Sequence, residues 1–220
     1  MGLKDRIDEV ESRIAAACAR AGRRRDEVTL LAVTKVFPAQ VILDAHAAGL
    51  REFGENYVQE FETKAPLVSG LDGARFHLIG HLQSNKSRRA GELFQVVQTV
   101  DSGKLARRLN ECCRPLEVMI EVKLSTEESK YGCEPANLPQ VVDEVRACPN
   151  LTLTGLMTMP PWSDDAEASR PYFARLRQLA AAHGLSQLSM GMSHDLETAI
   201  EEGSTMVRVG TALFGSRKRA

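Results

Sequence analysis

Three stretches of this chain hold side chains whose types and spacing could do chemistry together. The first is Leu30-Leu31-Ala32-Val33-Thr34-Lys35. Five apolar or β-branched residues suit a strand buried on both faces, and a lysine ends it. In parallel α/β sheets and barrels, ligands bind at that end. Burial there disfavours the charged amine and lowers its pKa, and a neutral amine attacks an aldehyde to form a Schiff base. A lysine that caps its strand and reaches solvent is the plainer reading of the same residues.

The second stretch is Ser189-Met190-Gly191-Met192-Ser193-His194-Asp195, and the third is Val207-Arg208-Val209-Gly210-Thr211. Gly191 loosens the backbone, and Ser193 is placed to cap the helix that follows. A helix start with a hydroxyl and free amides is an anion site. Gly210 permits close approach of a ligand to the backbone, and Thr211 adds a hydroxyl and an amide. Ordinary loop chemistry explains each pair alone. Together, after the seventh and eighth strands of a barrel, they point equally to a phosphate. Arg208 alternates with Val207 and Val209, so it faces the lumen if the valines face the helices. A buried arginine needs partners. It does not give its proton to a ring nitrogen, so it would keep a pyridine nitrogen unprotonated.

The elements that must position these residues follow from periodicity. Residues 3–21 form an amphipathic helix, with Leu3, Ile7, Val10, Ile14, Ala17 and Cys18 on one stripe. Strands are predicted at 29–34, 51–53, 75–79, 95–100, 117–124, 151–159, 187–190 and 206–209, and helices at 39–48, 56–65, 85–93, 102–113, 136–147, 164–183 and 194–202. Repeated strand–helix units imply a parallel sheet, and a count of eight fits a closed barrel. The expected architecture is α/β, a (β/α)8 TIM barrel in a single domain over residues 1–220, with an extra N-terminal helix. An open doubly wound sheet is the alternative.

Composition narrows the function. The chain has 220 residues, 43% of them hydrophobic and 26% charged, with a formal net charge of −1. Nothing there points to nucleic acid or to a membrane. The 5 cysteines show no metal-ligand spacing and read as small core fillers in a reducing cytoplasm. No signal peptide or bilayer-spanning run is evident, and Arg6 stands where a myristoylation signal needs Ser or Thr. With no long apolar stripe left over, a monomer is expected.

Thr34-Lys35, Phe53-Gly54-Glu55-Asn56-Tyr57-Val58-Gln59-Glu60, His77-Leu78-Ile79-Gly80-His81-Leu82-Gln83-Ser84-Asn85-Lys86, Gly155-Leu156-Met157-Thr158-Met159-Pro160, Ser189-Met190-Gly191-Met192-Ser193 and Gly203-Ser204-Thr205-Met206-Val207-Arg208-Val209-Gly210-Thr211 together resemble the pyridoxal phosphate homeostasis protein family over residues 29–215. The resemblance implies the barrel of the alanine racemase N-terminal domain and a bound cofactor, pyridoxal 5′-phosphate (PLP). It further implies a role in vitamin B6, amino-acid and keto-acid balance without robust turnover. Lys35 would be the Schiff-base lysine. Ser193, Gly210 and Thr211 would form the phosphate cup, Arg208 would face the pyridine nitrogen, and Asn56 would lie near the cofactor. PLP-dependent apo-enzymes are the candidate protein partners. The parity of strand five places Met119, Glu121 and Lys123 where the family often has neutral polar residues.

Other residues read mostly as structural. His77 and His81 are expected to be satisfied polar groups more than site residues. Gln83–Arg89 reads as a solvated helix start, and the methionines at 157, 159, 190, 192 and 206 as core. Residues 127–132 resemble a family loop over the site. The tail Arg217-Lys218-Arg219 lacks the aromatics that stack on RNA bases. The competing function is a PLP-dependent amino-acid racemase. It needs an acid or base on each face of the ring, and the second group in alanine racemase comes from a C-terminal domain that this sequence does not show. A PLP-free enzyme would need a metal cluster or paired carboxylates at strand ends, and neither is visible.

Overall fold

The computed structural model describes residues 2–112, 114–125, 127 and 131–215. Helix α1 (Leu3–Arg20) buries Ile7, Val10, Ile14, Ala17 and Cys18 along one stripe, as 3.6-residue spacing dictates. Strand–helix units follow: β1 (Thr29–Val33), α2 (Ala39–Ala47), β2 (Glu52–Glu55), α3 (Val58–Val68), β3 (Arg75–Leu78), α4 (Ser87–Leu93), β4 (Val96–Val100) and α5 (Gly103–Asn110). Then come β5 (Leu116–Glu121), α6 (Leu138–Arg146), β6 (Leu151–Met157), α7 (Arg170–Ala182), β7 (Gln187–Met192), α8 (Leu196–Glu201), β8 (Met206–Val209) and α9 (Thr211–Phe214). All neighbouring strands are parallel, and β1 pairs with β8 as well as β2, closing the ring. The (β/α)8 barrel forms, not the open sheet.

Alternation along the strands divides the interior in two. Leu30, Ala32, Val207 and Val209 join the large apolar layer between barrel and helices. Leu31, Val33, Ile79 and Met206 form a separate small cluster. Met119 and Glu121 are buried in β5, and the Glu121 charge is felt at Arg208. Lys123 lies beyond the end of that strand and pairs with Glu134 at 3.5 Å.

Several boundaries differ from expectation. β2 continues through Gly54 to Glu55, so the next helix starts at Val58 rather than at 56. The helix expected from 164 begins at Arg170, because Asp165 first caps a short 3-10 turn and Pro171 suits the first helical turn. β5 ends at Glu121 and β6 at Met157, while β7 extends to Met192. Opposite β8, Ser189 pairs with Met206 and Met192 with Arg208. One extra residue is therefore accommodated near Gly191, whose φ is +90°. A Cβ there would come within 2.4 Å of the Ala199 side chain. Such a bulge re-aims the residues beyond it, here Met192 and Ser193.

Cys18, Cys133 and Cys148 carry free thiols, and burial pushes the Cys133 thiol up to about 11. Cys113, most of loop 126–130 and the basic tail at 217–219 lie outside the described residues. Among those described, no helix is long and apolar enough to cross a membrane, and no cluster of His, Cys, Asp or Glu could hold a metal.

Candidate functional site

A cavity of about 460 Å³ opens at the C-terminal ends of the strands, within the ~300–1,000 Å³ usual for small-molecule sites. Lys35 after β1, Asn56 after β2, Ser193 after β7, Arg208 in β8, and Gly210 and Thr211 after it all line this one space. Val33, Ile79, Met159, Met192 and Trp162 supply apolar wall. A wider cleft of about 860 Å³ lies outside the barrel, between α4 and α5. It contains no residue from a strand end, so its size does not make it the site.

Arg208 is 4% exposed. Its Nη1 donates to the Ser189 carbonyl at 2.6 Å and to Ser189 Oγ at 2.8 Å, and its Nη2 donates to the Thr158 carbonyl at 2.9 Å. No bond to its Nε is seen among the described residues. Burial lowers the guanidinium to about 10, with the charges of Asp195 and Glu121 pulling the other way, so it stays protonated at neutral pH. A buried cation with no carboxylate in salt-bridge range among the described residues makes the cavity favourable for an anion.

From Arg208 a chain of hydrogen bonds runs down the lumen. Ser189 Oγ donates to Gln98 Oε1 at 2.6 Å, and Gln98 Nε2 lies 2.9 Å from His77 Nδ1. His77 Nε2 in turn meets Glu52 Oε2 at 2.5 Å. With Gln98 donating to Nδ1, His77 carries its proton on Nε2 and donates to Glu52. His77 is thus a satisfied lumen group. His81 stacks on Tyr131, with ring centroids 3.7 Å apart, and lines a neighbouring space rather than this cavity. Arg89 pairs with Glu62 and Glu92 on the outside, in keeping with a solvated helix start.

Ser193 does not cap α8, the helix that follows it. α8 starts two residues later than expected, and Asp195 Oδ1 accepts instead from the Met192 amide at 2.7 Å. The Asp195 side chain turns back to the preceding loop and makes no bond to the first turn of α8. Ser193 Oγ faces the next loop and accepts from the Ala212 amide at 3.4 Å. α1 braces this corner from outside: Arg13 Nη2 donates to the Ser193 carbonyl at 2.9 Å, and its Nε pairs with Glu197 at 2.6 Å. Gly80 has a structural task nearby, since a Cβ on it would lie 2.2 Å from the Asn56 carbonyl. Only glycine lets the β3 loop pass so close to the backbone of a cavity residue.

Lys35 is half-buried at the wall. Behind it, on the helix side of the sheet, sits a charged cluster that local sequence does not announce. Lys64 of α3 bonds both carboxylate oxygens of Glu55, at 2.9 and 3.1 Å, and Glu60 at 2.6 Å. Burial pushes Glu55 up, opposed by its bonds to Lys64 and Thr34. Gln98 and Ser189 were also missed, although each is a polar residue inside an apolar strand, the same signal that marks Arg208. His194 and Trp162 line the cavity as well, with ring centroids 5.0 Å apart.

The sequence profile of the alanine racemase N-terminal domain family matches residues 6–218. The pyridoxal phosphate homeostasis protein of Pseudomonas aeruginosa is 48% identical, over 98% of this chain and 96% of its own. PipY of Synechococcus elongatus, solved with PLP bound, superposes with a TM-score of 0.84 at 36% identity, covering 97% of this chain and 100% of that one. Alanine racemase from Corynebacterium glutamicum shares the fold at a TM-score of 0.69 and 21% identity, over 96% of this chain and 61% of the racemase. The chain therefore belongs to the alanine racemase N-terminal domain family and, within it, to the pyridoxal phosphate homeostasis proteins.

Proposed function

We propose that this chain binds PLP, holds it as a Schiff base on Lys35, and serves in intracellular PLP homeostasis as a carrier or regulator. One observation carries the reading. A lysine, a buried arginine with no carboxylate in salt-bridge range among the described residues, and a loop pair of hydroxyls converge on a single cavity. PLP has an aldehyde, a pyridine nitrogen and a phosphate, one partner for each. Bound PLP supplies an electrophilic carbonyl and an electron-accepting ring.

The chain's own groups do the rest. Lys35 provides the amine. Arg208, protonated at neutral pH, donates towards the ring nitrogen and cannot deliver a proton to it. Ser193, Gly210 and Thr211 hold the phosphate, with the first amides of α9 close by. Asn56, after β2, lines the same cavity and would lie near the ring. The fixed charge of Arg208 keeps the nitrogen unprotonated, which weakens the ring as an electron sink and suits storage more than turnover.

The racemase reading needs a titrating group on each ring face. Among the described residues lining the cavity, Lys35, His194 and Arg208 are the ionisable ones, with no phenol or thiol. Arg208 does not titrate near neutrality, and His194 Nε2 is buried with no hydrogen-bond partner among the described residues. This supports a binding role. A monomeric cytoplasmic protein that passes PLP to apo-enzymes is the fuller form of the proposal. It predicts a single species in sedimentation and faster reactivation of an apo-enzyme than free PLP gives.

The test is direct. The PLP-loaded protein should absorb in the visible as an imine, and borohydride should fix the label on Lys35. A label on another lysine, or none, would refute the assignment. Alanine incubated with the loaded protein in deuterium oxide should exchange far below ~1 s⁻¹, the low end of ordinary enzyme turnover. Exchange at that rate would favour the racemase.

A further inference from the structure

Lys35 lies between two peptide groups, and both are gripped by the same buried cluster. On its N-terminal side, the Thr34 carbonyl accepts from Lys64 Nζ at 3.1 Å. On its C-terminal side, the Val36 amide donates to Glu60 Oε1 at 2.6 Å. Lys64 ties the carboxylates of Glu55 and Glu60 together, and Thr34 Oγ1 donates to Glu55 Oε1 at 2.7 Å. Thr34 and Glu55 are wholly buried, and Lys64 is 5% exposed. Val36 has φ +63° and is the one non-glycine residue with positive φ among those described. A β-branched residue takes that conformation only under constraint. Two bonds hold it there: the Phe37 amide donates to the Thr34 carbonyl at 3.2 Å across the turn, and Glu60 accepts from the Val36 amide.

A buried lysine with two carboxylates is an expensive way to fill space between a strand and a helix, where apolar side chains pack at lower cost. Its bonds go to the backbone on each side of Lys35 and set the backbone angles from which that side chain leaves. We infer that Lys64, Glu55 and Glu60 form a clamp that aims Lys35 into the cavity, with Lys64 and Glu60 as positioning residues for carbonyl capture. This rests on the reading of Lys35 as the amine that meets PLP. In that step the Lys35 nitrogen attacks the aldehyde carbon and a C=N bond replaces C=O. The amine gives up two protons, and the oxygen leaves as water. Its rate depends on the direction of approach, and an error of about 1 Å in such a group costs on the order of 10²-fold.

The test uses the full chain. Glu60 is partly exposed, with 24% of its side chain accessible, so Glu60→Ala frees Val36 while leaving the Lys64–Glu55 pair. Three quantities are measured: the rate of imine formation after mixing with PLP, the affinity for pyridoxine 5′-phosphate, which has no aldehyde, and thermal unfolding. Glu60→Ala should slow imine formation between about 10- and 10²-fold with little change in analogue affinity or melting. Glu60→Gln keeps an acceptor for the Val36 amide and should recover most of the rate. Val36→Gly, which adopts positive φ without a clamp, should restore the rate in the Glu60→Ala background. Lys64→Met should show a larger defect, and if it fails to fold the Glu60 series decides. An unchanged rate in Glu60→Ala, or analogue affinity falling as far as the rate, overturns the clamp. Borohydride labelling of the unmodified chain separates the two ideas. A label off Lys35 removes the underlying reading, whereas a label on Lys35 with rates insensitive to Glu60 removes the clamp alone.

Discussion

Replacing Arg208 by alanine separates cofactor binding from stability in a way the structure makes quantitative. The side chain makes three hydrogen bonds, to the Ser189 carbonyl, Ser189 Oγ and the Thr158 carbonyl. Buried groups left without a partner cost ~1–3 kcal/mol each, but Arg208 lines a cavity that water can enter, so these acceptors regain partners. Removing a desolvated cation that has no carboxylate in salt-bridge range among the described residues also returns energy. The two effects oppose, and the net change in stability should be within about 2 kcal/mol. On the ligand side, a hydrogen bond from a charged donor is worth ~1.5–3 kcal/mol. That corresponds to PLP affinity about 10- to 150-fold weaker, with a shifted visible spectrum. The assay is an absorbance titration of the apo-protein with PLP beside a thermal melt of the same sample. Affinity unchanged within threefold, or an affinity loss matched by collapse of the melt, would refute the assignment of Arg208 to the cofactor.

Three further outcomes follow from named contacts. Gly80→Ala must move the backbone at Asn56, because the new Cβ would sit 2.2 Å from its carbonyl. A loss of ~1–3 kcal/mol, typical of overpacking, should appear in urea unfolding together with weaker PLP binding. Trp162 is the 1 tryptophan of the chain and lines the cavity, so its emission should fall as PLP binds, and steady emission through a complete titration would move the ligand elsewhere. Glu201 is held below the usual carboxylate range by its hydrogen bonds to Arg170 and Arg20. Burial would push Glu197 up, but its bond to Arg13 wins and holds it low as well. For carboxylates with depressed pKa, the stabilisation is present above the unfolded value near 4.3–4.5 and is lost as pH falls through the folded value. The melt should therefore weaken below about pH 4.5, and Glu197→Gln should flatten that fall. A pH dependence as steep as that of the unmodified chain would show that this bridge does not brace α1 on α8.

The roles of particular residues show how far local pattern reaches. Arg208 faces the lumen, as its alternation with Val207 and Val209 requires, because side-chain direction in a strand is fixed by parity alone. The cap expected of Ser193 does not form, because α8 begins only at Leu196, with Asp195 at its boundary. A single turn has several possible capping partners, and their competition is settled by packing. Lys64 sits on α3, within the helix expected over 56–65. It is buried because β2 runs on to Glu55 and turns that carboxylate towards α3.

The sequence alone thus determined the eightfold strand–helix repeat, the places where strands end in Lys35 and in Gly210-Thr211, and the family these motifs resemble. Periodicity and motif are local properties that survive in one dimension. Only the tertiary structure decided that six candidate residues from four strand ends share one cavity, and that Arg208 hangs from Ser189 and Thr158. It alone brought Thr34 against Lys64, 30 positions away. Such pairings arise when the sheet closes and helices dock. Barrel curvature and the bulge at Gly191 then choose neighbours that no spacing rule along the chain can specify.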